Sequence, residues 1–317
     1  MKFRLSAEQR AFAEALDALL GSAGVPGVNR SWAAGRSEPG LLLWKQLAEL
    51  GVTALGVPEE HGGVGGSPVD LIVAFERLGY HGVPGPVIES IAAAPALVSD
   101  PALLASLASG DAVVTFAAAP AAPYALDADV ATDVFVVGDS LSRAEIGRKL
   151  TSVDPSRHLF EVTAGPAGQP LSPAARDRAL DLASLACAAV LLGCGERMLA
   201  DTVAYLGQRK QFGRVIGEYQ ALKHAAADVR VALDFARPLL LGAAREPSPR
   251  AVSAAKVSAS DAAQLAARTG LQLHGAIGYT LECDLSQWLL RVRALVGCWG
   301  TPAVHRARVL ESLMRDR

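Results

Sequence analysis

The chain has 317 residues, 51% of them hydrophobic, with 30 Lys and Arg against 32 Asp and Glu, a formal net charge of −2 and a pI near 6.3. That is enough apolar material for a large core or for two to three packed units. Basic and acidic residues are mixed along the chain, so there is no electrostatic footprint for nucleic acid or an anionic membrane, and neither is expected as a partner.

Lys2, Arg4 and Glu8 interrupt the N-terminus where a secretory signal needs an apolar run. Ser6 and Gln9 have capping-box spacing, and Phe12, Leu16, Leu19 and Leu20 then recur at helical period, which predicts an amphipathic helix ended by Gly21 and Gly24. Helical patterns follow around Trp44 to Leu50, Val69 to Leu78 and Ala102 to Ala108, separated by turns rich in Pro and Gly. From Asp111 the character changes to short β-type runs, Ala112 to Phe116, Val134 to Val137 and Leu159 to Val162. After Pro173 long Ala- and Leu-rich helical patterns return, at about 174 to 206, 218 to 244, 249 to 274 and 302 to 314, of a kind suited to close antiparallel packing. The most apolar run, Leu182 to Gly195, lies between Asp181 and Glu196 and is too short to span a bilayer. Cys187, Cys194, Cys283 and Cys298 form no CxxC pair and have no His at ligand spacing, so they read as buried thiols of a reducing cytoplasm, and no metal site is expected.

Two glycine-rich segments are candidate phosphate cradles. His61 to Gly66 lacks the Lys-Ser/Thr of a P-loop and reads as a turn between helices. Ala188 to Gly195 leads into Gly193-Cys194-Gly195, but Met198 stands where a dinucleotide fingerprint needs its third glycine, so close helix packing is the better account. The segment Tyr205 to Gln220 joins two long helices through a turn carrying Arg209, Lys210, Gln211, Phe212, Tyr219 and Gln220, groups that suit a diphosphate and an aromatic base. On spacing alone it reads as a charged interhelical loop.

Three ordered elements resemble the acyl-CoA dehydrogenase family. Arg209, Phe212, Gly213, Ile216 and Gln220 match its flavin-binding signature R-x-x-F-G-x-x-I-x-x-x-Q. Gln272 to Thr280 is similar to its Q-x-x-G-G-x-G-Y element, and Leu50 to Gly65 resembles its first-domain signature. The resemblance implies a mainly α fold: an N-terminal helical domain (1–110), a shortened middle β domain (111–171) and a C-terminal four-helix bundle domain (172–317). It also implies FAD as cofactor, with Arg209 on diphosphate oxygens and Phe212 packed on the cofactor. Gln272 and the Gly275 backbone would hydrogen-bond the same end, with Gln211, Tyr219, Gln220 and Gly278 completing the adenine and diphosphate grip. The isoalloxazine would lie in the neighbouring subunit.

The departures from the family pattern carry equal weight. Trp299, in Cys298-Trp299-Gly300-Thr301, and Ala183 occupy the two positions where relatives place their catalytic Glu, so no catalytic residue is expected here. The middle domain is about half the usual length and lacks the segments that hold the isoalloxazine, and Ala276 replaces one glycine. The resemblance is closest to the short, non-catalytic subunits of actinobacterial α2β2 acyl-CoA dehydrogenases of steroid degradation. It implies a cytoplasmic subunit that shares FAD with a homologous full-length partner, the pair dehydrogenating a steroid-derived acyl-CoA. Two alternatives stay open: a self-sufficient homotetramer using Asp177, Asp181 or Glu282 as base, and a non-enzymatic assembly subunit.

Overall fold

The computed structural model describes residues 3–166, 168–211, 213–280 and 282–316. The N-terminal part comprises α1 (Ala7–Ser22), α2 (Val25–Ala33), α3 (Glu38–Glu49), α4 (Pro68–His81), a π-helical turn (Ile88–Ala93) running into α5 (Ala94–Leu97), and α6 (Pro101–Ser109). The Ser6–Gln9 capping box forms, with the Ser6 side chain accepting from the Gln9 backbone. Gly21 does not end α1, which runs on to Ser22 with Ala23 as its C-cap; the chain turns at Gly24, whose φ of 61° is left-handed.

The strands are β1 (Val114–Ala117), β2 (Ala125–Leu126), β3 (Asp133–Val137), β4 (Ser140–Leu150), β5 (Leu159–Ala164) and β6 (Gln169–Pro170). They form one sheet ordered β1-β3-β4-β5-β2, with β6 beside β4; β1 and β3 run parallel and the other pairs antiparallel. Alternation along β3 sends Phe135 and Val137 into the main core and Val134 into a smaller cluster with Phe160 and Ala125. β4 is the longest strand and was not expected from the sequence. Beyond Ser142 it is mostly exposed, so its residues show no apolar alternation.

The C-terminal part holds α7 (Pro173–Gln208), the hairpin β7 (Lys210–Gln211) and β8 (Arg214–Val215), then α8 (Gln220–Arg245), α9 (Pro249–His274), α10 (Leu285–Gly297) and α11 (Pro302–Arg315). Ser172, Ser248 and Thr301 cap α7, α9 and α11, each with Pro in the first turn. α10 is a further element absent from the expected set; it buries Leu285, Trp288, Arg291, Val292 and Leu295 on one face.

α7 is the axis of the molecule. By length and composition it could cross a membrane, but 78% of its apolar window is buried inside the fold, so it serves as a core helix. Its glycines do what close packing requires. A Cβ on Gly193 would fall 2.0 Å from the Glu76 carbonyl, and one on Gly79 would fall 2.2 Å from that of Val190, so the α4 and α7 backbones touch. Around this contact Arg237 bridges Glu76 and Glu196, and Arg230 also pairs with Glu196, tying α4, α7 and α8 together. The His61 to Gly66 segment is a turn whose backbone packs on the chain before it: a Cβ on Gly63 would lie 1.7 Å from the Val57 carbonyl oxygen.

Candidate functional site

Two loops meet at the C-terminal end of α7. Arg209 ends this helix, its backbone N–H donating to the Tyr205 carbonyl at 3.0 Å. Its guanidinium lies 5.9 Å from the centroid of the Tyr205 ring. The Tyr205 ring stacks in turn on His274, the last residue of α9, at 4.5 Å between centroids and 16° between planes. His274 is buried, and its Nδ1 donates to the Gly270 carbonyl at 2.8 Å. A stacked pair that the sequence reading did not single out thus joins the Arg209 and Gln272 segments. One signal for it was available, since Tyr205 precedes Arg209 by four residues and so lies on the same helical face.

Gln211 pairs with Arg214 across the β7–β8 hairpin, and Gly213 turns it with φ of 80°. Gln211, Gln220 and Gln272 are exposed; Gln220 opens α8, 3.0 Å from the His224 ring. Tyr219 is half-buried, with the Arg214 guanidinium 4.0 Å from its ring centroid. Phe212 lies outside the described residues. Ion pairs on the flanking helices use Arg197, Arg230 and Arg237; among the described residues none involves Arg209, Lys210 or Arg214. This end of the molecule therefore offers several cations and side-chain amides to an anionic ligand that accepts hydrogen bonds, as a diphosphate would.

Two expected contacts need amendment. The Gly275 N–H already donates to the Leu271 carbonyl as the cap of α9, so it is not available to a ligand. What Gly275 supplies is an exposed backbone at φ 64° and ψ −142°, open to only a residue without Cβ. Gly278 is buried, and a Cβ there would press at 3.1 Å on both His274 and Leu271, so its role is to let the loop pack on α9.

The opposite end of α7 is sealed. Ala183 is fully buried, and Trp299 is 2% exposed with a left-handed φ of 58°. The Trp299 backbone N–H donates to the Ala121 carbonyl, and its own carbonyl accepts from Ser184 Oγ at 3.0 Å and His305 Nε2 at 2.9 Å. The indole meets Phe116 of β1 edge to face at 5.7 Å. His305 is the imidazole beside Trp299, but burial pushes its pKa down to about 4, and its Nδ1 is occupied by the Ser253 hydroxyl. It is neutral with both nitrogens engaged, so it offers no base. Of the other carboxylates considered, Asp181 is held by Arg308 at 2.8 Å with its pKa raised by burial, while Asp177 and Glu282 are exposed. Asp177 and Asp181 line a cleft of about 520 Å³ with Pro68, Leu185 and Pro249.

The acyl-CoA dehydrogenase N-terminal domain model matches residues 6–105, and the C-terminal domain model of the same family matches 174–314. Acyl-CoA dehydrogenase IpdE2 of Mycobacterium tuberculosis is 36% identical over 259 residues, spanning 78% of this chain and 79% of that one. Among solved structures, one from the ChsE4-ChsE5 complex of Mycobacterium tuberculosis superposes with a TM-score of 0.86 at 21% identity, covering 99% of each chain. One from the Tcur3481-Tcur3483 steroid ACAD superposes with a TM-score of 0.79 at 22% identity, covering 96% of this chain and 99% of that one. Sequence identity across most of both chains, two matched domain models and a shared fold agree: the chain belongs to the acyl-CoA dehydrogenase family.

Proposed function

We propose that this chain is a non-catalytic subunit of a heteromeric, FAD-dependent acyl-CoA dehydrogenase, lending the adenine and diphosphate half of the FAD site to a full-length homologous partner. FAD, when bound, supplies the acceptor for the hydride that leaves the β-carbon of the acyl thioester. The partner contributes the base and the isoalloxazine pocket. Arg209 neutralises diphosphate charge, Gln211, Gln220 and Gln272 orient the adenine end by hydrogen bonds, and Phe212 packs on the cofactor. The Tyr205–His274 stack holds the two loops at a fixed spacing, so little ordering remains to be done on binding.

The observation that carries this reading is the separation of the two ends of α7. From Ala183 to Arg209 the chain climbs roughly 39 Å at about 1.5 Å per residue. One cofactor cannot be gripped at Arg209 and present its reactive ring beside Ala183 and Trp299 of the same chain. Exposed apolar side chains supply the surface an assembly needs: Val231, Phe235 and Leu239 recur at helical spacing on α8, with Phe235 73% exposed, and Leu310, Leu313 and Met314 lie on α11. A steroid-derived acyl-CoA, from a cholesterol side chain or ring propionyl, is the proposed substrate class, supported by the likeness to a steroid ACAD.

The test is to purify the chain alone and together with its homologous partner. The expected result is flavin and acyl-CoA dehydrogenation only in the complex. Stoichiometric flavin with full turnover in the lone chain would support a self-sufficient enzyme instead, and a complex without flavin would leave an assembly subunit.

A further inference from the structure

The end of β2 and the loop before β5 bring together three ligating side chains whose spacing in the sequence gives no sign of a site. Asp127, Asp129 and His158 each place an oxygen or nitrogen within 4.8 Å of the others'. His158 Nδ1 is 3.4 Å from Asp127 Oδ1 and 3.8 Å from Asp129 Oδ2. Two donors bound about 2.1 Å from a tetrahedral ion stand about 3.4 Å apart, so the shorter spacing is already that of two ligands on one ion and the longer needs Asp129 to move inward by a few tenths of an ångström.

A second observation comes from Asp127 itself. Its side chain is 0% exposed, and Oδ2 has no hydrogen-bond partner among the described residues. Oδ1 by contrast accepts from Trp32 Nε1 and from the His158 backbone N–H, each at 3.1 Å. A buried carboxylate oxygen without a partner is unfavourable unless a proton or a cation meets it. Asp127 is also held at φ 51°, a left-handed conformation that non-glycine residues seldom adopt.

We propose that Asp127, Asp129 and His158 form a binding site for a divalent transition-metal ion, with Zn2+ the best match. One imidazole with two carboxylates suits zinc, whereas Mg2+ and Ca2+ prefer oxygen ligands alone. A water or the second Asp127 oxygen completes the coordination. Lys149 is the competitor: its Nζ lies 2.9 Å from Asp129 Oδ2, at the exposed rim of the cluster, and it must swing away when metal binds. The ion's role is structural, since Trp32, which donates to Asp127, belongs to α2 and a metal here pins that helix to the sheet.

The experiment is calorimetric titration of the metal-free full chain with ZnCl2, and with MgCl2 for comparison. One zinc per chain is expected, with no comparable magnesium binding. Asp129→Asn, at an exposed position, should weaken zinc binding roughly tenfold or more. Lys149→Met should tighten it, a gain that misfolding cannot produce. Zinc should also raise the melting temperature of the wild type but not of Asp129→Asn. Absence of zinc binding, equal binding by Asp129→Asn through the thiols or other imidazoles, or weaker binding by Lys149→Met would overturn the proposal.

Discussion

The two ends of α7 are built in opposite ways. At the Arg209 end the side chains are exposed, cationic or amide-bearing, and the backbone turns through glycines at positive φ. Around Ala183 and Trp299 the groups face protein: an alanine methyl, an indole against Phe116, and a Trp299 carbonyl taken by both Ser184 and His305. One end is open to solvent with its cations and amides exposed, and around Trp299 the other is closed as a core is closed. On the reading proposed above, a family fold keeps one half of a composite site while its second half becomes structural packing.

The strongest way to break this contrast is at Trp299. Trp299→Ala removes a buried aromatic and should cost about 3–5 kcal/mol of stability, read from urea melts, without creating turnover in the lone chain. Activity in that variant would mean that the indole merely blocks a working site. At the open end, Arg209→Ala should lower FAD affinity of the complex by about 1.5–3 kcal/mol while leaving the melting temperature of the isolated chain unchanged, as equilibrium dialysis and thermal unfolding would show. A matched loss of folding stability would count against a role in binding.

A pH series sharpens the sealed end. The pKa of His305 is depressed from 6.5 to about 4 in the folded chain, so the unfolded chain binds the extra proton first. The stability that depends on neutral His305 is therefore complete above pH 6.5 and declines as pH falls toward 4, by at most about 1.4 kcal/mol per pH unit. Denaturant titrations of His305→Gln should show a flatter dependence in that window. The smallest expected effect lies between the two loops: Tyr205→Leu removes the stack on His274 and should weaken FAD binding by about 0.5–1.5 kcal/mol, with Tyr205→Phe close to wild type. Equal affinities in Leu and Phe variants would show that the stack does not set the grip.

Much of this architecture was legible in local sequence. The capping box at Ser6, the prolines opening α7, α9 and α11, and the Ala- and Leu-rich periodicity placed those helices within a few residues of their ends. β4 was not legible because a strand with both faces largely in solvent carries no alternation. The motif segments around Arg209 and Gln272 could be found, but not the Tyr205–His274 stack, which joins two helices distant in sequence. Residue identity shows that neither Ala183 nor Trp299 can act as a base, whereas the closure of the space around them could not be read. The sequence by itself determined which segments are helical, where they are capped and which chemical groups the loops carry, because those depend on neighbours within a few residues. Only the tertiary structure decided that the open and sealed ends sit at opposite ends of one helix, that the Gly275 N–H is already spent, and that Asp127 meets His158. Each of these depends on contacts between elements that local periodicity does not encode.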